Sequence, residues 1–249
     1  MLVAGATAQE RVSTSEKGSI VIYPKVELRW NAAGDLIQDT FISLTNDNND
    51  DVDIHMYLVS EECTWSNNEY ELTENQPAYW SAATGLPGPG GSAVSPFTVL
   101  GAPIDDPEGS GDTILRGYII AFAVNADGEQ IRWNHLFGEA TIVNYAYSCA
   151  WEYNAYTFRA LDPAAEGDVI GNPGTLKLDG VEYASGFNKL LLNFIASGSY
   201  AFSGGGNLVF HDTDLTLLVL KQDLRHDTEG PYTTKAKFEI WNENEVGFS

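Results

Sequence analysis

The chain has 249 residues, enough for one large domain or two smaller ones, each with a buried core. Its 13 Lys and Arg residues are outnumbered by 35 Asp and Glu, giving a formal net charge of −22. Such a surface repels phosphate backbones and anionic lipid, so we expect neither nucleic acid nor a membrane surface as a partner. An aromatic content of 12% favours a folded protein over a disordered one.

The N-terminal stretch MLVAGATAQE is too short for a membrane span, so no membrane insertion is expected. Ala6-Thr7-Ala8 has the small-x-small pattern of a signal-peptide cleavage site. We therefore interpret residues 1–8 as the end of a signal peptide, or alternatively as a frayed N-terminus. Residues 9–249 are predicted to form one large β domain of an exported, extracellular or cell-surface protein.

The first predicted strands run from Ser19 to Tyr23 and from Val26 to Trp30, and Pro24 interrupts them. The next two form the stretch DTFISLTNDNNDDVDIHMYLV, residues 39–59, in which two alternating apolar runs flank a block of Asn and Asp. Asn and Asp favour turns, so this stretch predicts a β-hairpin or a sheet-to-sheet corner with an acidic tip.

The middle of the chain begins with a Gly- and Pro-rich stretch, residues 84–111, that predicts a long surface loop. Strands are then predicted at 118–124, 140–147 and 150–158, and Asp127-Gly128 marks a hairpin turn. The Pro, Gly and acidic connector at 162–174 is the candidate sub-boundary within the domain. A further hairpin is predicted around Asp179-Gly180.

The last third continues the strand pattern. Residues 190–195 are apolar on both faces and predict a central strand, and 215–220 predict another. Phe238 and Ile240 alternate with charged residues in a final strand. No stretch shows a sustained helical period, so the sequence predicts an all-β, antiparallel fold of about a dozen strands.

Several segments resemble those of a family of exported bacterial proteins with no known activity. They are LTNDNNDDVDIHMYLV, LTENQPAYWSA, AYSCAWEYNAYTFRAL, SYAFSGGGNLVFHDTDLTLLVLKQDL and KFEIWNENEVGFS. The resemblance covers most of the chain and implies a secreted or cell-surface location and an immunoglobulin-like β-sandwich. It supplies no catalytic residues, and it implies that further sequence follows WNENE in the family.

The two cysteines, Cys63 and Cys149, lie far apart in sequence, each after an apolar run. No CxxC or CxxH spacing indicates a metal site. For an exported chain we predict a Cys63–Cys149 disulfide, with two separate thiols as the alternative.

The acidic tip places four oxygen-bearing side chains at alternate positions, which resembles the start of a calcium loop: Asp47, Asn49, Asp51 and Asp53. The EF-hand pattern then fails, because Val52 stands where Gly is needed and Leu58 where Glu is needed. Calcium on another kind of β-loop is one hypothesis, and a solvated polar turn is the other. We expect no other cofactor.

Aromatic side chains suggest a second kind of site, because sugar rings stack on Trp and Tyr. The candidates for a glycan-binding platform are Tyr79, Trp80 and Trp133. The alternative is that these rings belong to the core, as most large aromatics of a β-sandwich do.

No catalytic motif is present: the chain lacks GxSxG, HExxH, a P-loop and GxGxxG. His211, Asp212 and Asp214 do not share one face of a strand, and acidic residues are too abundant for a carboxylate pair to be informative. We therefore expect no enzyme. The leading hypothesis is a surface structural or interaction module that self-assembles by strand exchange, with the segment Ser13 to Tyr23 as the unpaired strand. The alternatives are binding to other surface proteins, a carbohydrate-binding module and, less favoured, a glycan-acting hydrolase.

Overall fold

The computed structural model describes residues 12–62, 64–87, 93–94, 103–107, 109–171, 175–187, 189–194, 198–201, 208–211, 213–220, 237–241 and 247–248. Every regular element among them is a β-strand. Within these ranges there is no helix, and so none that could cross a bilayer. All strand pairs are antiparallel, which confirms the predicted all-β antiparallel class.

Ten strands form one sheet, and six short strands form three separate pairs. In chain order the strands are β1 (Ile20–Trp30), β2 (Leu36–Asn46), β3 (Val52–Ser60), β4 (Trp65–Leu72), β5 (Pro77–Ser81), β6 (Leu86–Pro87), β7 (Ala93–Val94), β8 (Ile104–Asp105), β9 (Thr113–Val124), β10 (Leu136–Asn144), β11 (Cys149–Asn154), β12 (Tyr156–Phe158), β13 (Gly198–Ala201), β14 (Leu208–His211), β15 (Ile240–Trp241) and β16 (Gly247–Phe248).

The large sheet has the order β11-β10-β2-β1-β9-β3-β4, with β12 paired to β1, β5 to β2 and β8 to β9. The link between β1 and β2 is short, because only Arg29 with Gln38 and Trp30 with Leu36 pair across it. The sheet therefore has two halves that meet at this link. One half contains β2, β5, β10 and β11, and the other contains β1, β3, β4 and β9.

The stretch 39–59 is a corner between these halves. β2 pairs with β10 and β5, whereas β3 pairs with β4 and β9. The two strands do not pair with each other, so the hairpin prediction is wrong. Both belong to the one large sheet, so a corner between two sheets of a sandwich stays a prediction.

Both halves contribute to one apolar core. Its members come from strands that are not neighbours in the sheet, so one face of each half is directed at the same interior. The immunoglobulin-like arrangement of these strands stays a prediction. The buried strand residues of this first core are Val21, Tyr23, Val26, Leu28, Ile42, Leu44, Val52, Ile54, Met56, Leu58, Leu72, Trp80, Leu115, Ile119, Ala121, Ala123, Leu136 and Ala140.

A second core covers the opposite face of β1 and β9. Ile20 and Ile22 belong to it while Val21 and Tyr23 belong to the first core, as the alternation of a strand requires. The remaining buried members are Val12, Ile120, Phe122, Val124, Phe158, Ala160, Ile170, Leu176, Leu178 and Tyr183.

The segment Ser13 to Tyr23 is paired, so its predicted role as an unpaired strand is wrong. Ser13 bridges to Thr157 and Gly18 to Leu136. Residues 20–22 lie between β9 and β12 and are almost completely buried. Releasing this segment would expose residues of both cores to water, so its exchange between chains would cost a large free energy.

The last third departs most from the predicted strands. Residues 189–194 form no strand, and Leu190, Leu191, Leu192 and Phe194 are exposed, so the predicted central strand at 190–194 is wrong. Residues 213–220 also lie outside every strand. Residues 195–197, 221–236, 242–246 and 249 lie outside the described residues.

Candidate functional site

The acidic tip is held by hydrogen bonds within the protein. Asp47 forms an ion pair with Lys17, and its second oxygen lies 3.2 Å from His135 Nδ1. Asn49 Oδ1 accepts a hydrogen bond from Asn75 at 3.1 Å. The remaining members are bound elsewhere: Asp51 accepts from the Glu74 amide at 2.9 Å, and Asp53 lies within β3 opposite Glu71.

These contacts draw the side chains of Asp47, Asn49 and Asp51 toward different partners. Across the described ranges, no group of three His, Cys, Asp or Glu side chains is placed to hold a metal ion. Calcium binding at the tip stays a prediction.

The three predicted aromatic ligands occupy different environments. Tyr79 is 64% exposed on β5, whereas Trp80 is 4% and Trp133 6% exposed in the first core. The Trp133 indole Nε1 donates a hydrogen bond to Asn46 Oδ1 at 3.1 Å. Of the three, Tyr79 alone offers its ring to a ligand.

Tyr79 belongs to an exposed face that the sequence analysis missed. Phe41 on β2 and Phe137 on β10 are also exposed, and both share the face of Tyr79. We call Phe41, Tyr79 and Phe137, with Ser43 and Glu139 between them, the aromatic face. The signal was present in Phe41, which breaks the alternation of its strand by standing next to the buried Ile42.

A cleft of about 380 Å³ opens beside Phe41 and Tyr79. Buried Asp39 holds its rim, because its carboxylate accepts hydrogen bonds from Ser81 Oγ at 2.5 Å and from the Ala83 amide at 3.1 Å. Burial raises the pKa of Asp39, although these hydrogen bonds act in the opposite direction. The cleft is lined by Phe41, Ile42, Tyr79, Trp80, Ser81, Thr84 and Gly85.

A cluster of basic residues lies on the face of β1 and β9 that carries the second core. It contains Lys25, Arg29 and Arg116, which surround the buried carboxylate of Glu27. Arg29 Nε and Arg116 Nε donate to Glu27 at 2.7 and 2.9 Å. Arg29 also donates to Asp106 at 2.9 Å. We call the three basic residues the basic cluster.

The charge of Glu27 is stabilised by this arrangement. Burial raises the pKa of Glu27, but the hydrogen bonds from Arg29 and Arg116 and the charges of Lys25 and Arg29 outweigh burial and lower it overall. Gln38 adds a further hydrogen bond at 2.8 Å. The basic cluster is therefore a fixed feature of the fold.

Residues 213–220, which we call the apolar segment, cross this same face. Asp214 forms an ion pair with Lys25, and Leu218 and Leu220 pack on the second core. The alternate residues Leu217 and Val219 are exposed, as an extended chain with one face on a surface requires. The hydrogen bond from Lys25 lowers the pKa of Asp214, and partial burial opposes this shift.

The other candidate residues do not converge among the described ranges. His211 lies on β14, and Asp214 is engaged with Lys25. Cys149 is an exposed cysteine at the start of β11, and it forms no disulfide with any residue that the structure describes. Asp212 and Cys63 lie outside the described residues, so the Cys63–Cys149 disulfide stays a prediction.

Comparisons with known proteins give little support for any function. The sequence matches no protein-family model and no curated protein. The crystal structure of Thermotoga maritima 1070 is similar with a TM-score of 0.35 and 10% sequence identity. The match covers 57% of this chain and 95% of that chain. At this level of similarity it carries no argument about function.

Proposed function

We propose that this chain is a secreted or cell-surface interaction module that associates with copies of itself by exchanging the apolar segment. The observation that carries the proposal is that residues 215–220 have a strand's apolar pattern yet lie outside every strand, with Leu215, Leu217 and Val219 exposed. Exposed apolar strands are the elements through which sheets of separate chains join.

The docking site of the apolar segment supports exchange between identical copies. Each copy offers the same site, in which Lys25 binds Asp214 and the second core receives Leu218 and Leu220. An element that is bound by such contacts within one chain makes the same contacts when it comes from a second chain. Exchange therefore costs little beyond the entropy of association.

The exposed side of the segment supplies a reason to assemble. Leu215, Leu217 and Val219 would leave water if a second extended segment paired beside them, and each buried side chain contributes roughly 1.5–3 kcal/mol. Because 215–220 belong to none of the described strands, their backbone groups offer a template for that pairing. The acidic composition and the signal-peptide-like N-terminus support an exported location.

A crosslinking experiment tests the exchange directly. Carbodiimide joins an amine to a carboxylate in direct contact, so it should join Lys25 to Asp214. Chains labelled with ¹⁴N and ¹⁵N are mixed, crosslinked and digested, and the linked peptides are identified by mass spectrometry. Exchange predicts Lys25–Asp214 peptides that carry one isotope on each side.

The ion pair between Lys17 and Asp47 is the internal control, because both residues lie in segments anchored in the main sheet. Its crosslink should carry a single isotope. The proposal fails if Lys25–Asp214 crosslinks also carry a single isotope at every protein concentration.

Light scattering after size exclusion provides a second test. Val219→Ser should shift the protein toward a monomer, because it removes an exposed apolar side chain from the segment. Val181→Ser is the matched control, since Val181 is also exposed, at 73% against 56% for Val219, but lies in the turn at 179–182. Equal effects of the two substitutions would contradict a role for the segment.

A further inference from the structure

We propose that the aromatic face binds a neutral glycan, a property independent of self-association. The face is built from three rows of residues that pair across β5, β2 and β10, and successive rows are about 7 Å apart. Each row contains one exposed aromatic residue beside residues with polar side chains. The rows are Ser81, Phe41 and Thr141; Tyr79, Ser43 and Glu139; and Pro77, Thr45 and Phe137.

The chemistry of the rows suits a sugar ring. A pyranose has an apolar face of C–H groups that stacks on an aromatic ring, and hydroxyl groups at its rim that require hydrogen-bond partners. Phe41, Tyr79 and Phe137 provide the rings. Half-buried Glu139 and Thr141 lie beside these rings on the same face of β10 and supply polar partners.

The cleft beside Phe41 and Tyr79 adds depth to the face. Its volume of about 380 Å³ lies within the range of pockets that hold small ligands, roughly 300–1,000 Å³. The hydroxyls of Ser81 and Thr84 are at its rim. Because Asp39 fixes the turn at 81–84 by hydrogen bonds, the rim is organised before a ligand arrives.

Charge selects among glycans. The chain has a formal net charge of −22, and Glu139 lies within the face. An anionic polysaccharide would be repelled, whereas a neutral one would not. The ligand class is therefore an uncharged hexose or pentose polymer.

Calorimetric titration of the full chain with neutral oligosaccharides tests this inference. The panel contains hexamers of β-1,4-glucose, xylose, mannose and N-acetylglucosamine, with an oligogalacturonate as the anionic member. We expect at least one neutral oligosaccharide to bind and the anionic one not to bind. Tyr79→Ala should weaken binding about tenfold, because it removes the most exposed ring of the face.

Tyr147→Ala is the matched control. Tyr147 is also exposed but lies in the turn between β10 and β11, away from the three rows. Its substitution should leave affinity unchanged. Phe41→Ala tests the second ring, and near-native circular dichroism of each variant shows that it is folded.

Three results would overturn the inference. One is that no neutral oligosaccharide binds the wild-type chain. Another is that Tyr79→Ala and Tyr147→Ala change affinity equally. The third is that Tyr79→Ala alters the oligomeric state rather than glycan binding, which would show that a second copy of the chain covers the aromatic face.

Discussion

Lys25 on β1 donates a hydrogen bond to the carboxylate of Asp214, which lies 189 residues further along the chain. This ion pair holds one end of the apolar segment on the sheet, while Leu218 and Leu220 hold the other end on the second core. These side-chain contacts attach the segment, which forms no strand ladder with any of the described strands.

Asp214→Asn should loosen the apolar segment while leaving the sheet intact. Exposed ion pairs contribute modestly, so we expect amide hydrogen exchange at 215–220 to accelerate about two- to fivefold. Amides of β1 and β9 should be unaffected. Asp127→Asn, in an exposed turn, is the control. If amide hydrogen exchange at 215–220 is unchanged in Asp214→Asn, packing alone holds the segment.

Glu27→Ala should destabilise the whole domain. The substitution removes the carboxylate that the largely buried guanidinium of Arg29 shares with that of Arg116. Removing one partner of a buried ion pair lowers the free energy of unfolding by about 3 kcal/mol. Urea denaturation measures this loss. Glu152→Ala, at an exposed position of β11, should change stability by no more than about 0.5 kcal/mol.

Glu27 should also contribute to acid sensitivity. Because its folded pKa is lowered, its stabilising effect is fully present above the unfolded pKa of about 4.3 and is lost as pH falls through the lower folded value. Urea midpoints measured from pH 7 down to pH 3 should therefore fall more steeply for the wild type than for Glu27→Gln. Parallel curves would show that other carboxylates dominate.

Gly138→Ala should destabilise the sheet beneath the aromatic face. A Cβ at this position would lie 2.1 Å from the Tyr23 hydroxyl and 2.2 Å from the Ser43 carbonyl oxygen. We expect a loss of about 2 kcal/mol in thermal or urea unfolding, since the Ser43 backbone cannot move aside easily. Gly186→Ala meets no atom within 4 Å and should be close to neutral, so an equal loss at both sites would refute the steric explanation.

Most of the strands in the first two thirds of the chain could be predicted because their signals are local. The alternation from Val52 to Leu58 falls within β3, and that from Tyr118 to Val124 falls within β9. The Asp127-Gly128 turn was also predictable, since Gly128 has a positive φ of 76° that glycine adopts readily. Neighbouring residues determine these features, so one sequence is sufficient to find them.

The candidate sites depended on contacts that no local pattern contains. Trp80 and Tyr79 are adjacent, yet one is in the core and the other in the aromatic face, because the register of β5 against β2 decides which side each takes. Phe137 joins Tyr79 only because β10 pairs with the other edge of β2.

The sequence by itself determined the all-β class, the acidic surface and the positions of several strands in the first two thirds of the chain, because alternation and charge are properties of short stretches. The tertiary structure alone decided which strands pair, that Gly18 to Tyr23 is buried, and that residues 215–220 lie on the sheet outside every strand that the structure describes. An extended apolar segment has the same period whether or not a partner strand lies beside it. The partner is chosen by contacts between residues far apart in the chain, such as Lys25 and Asp214.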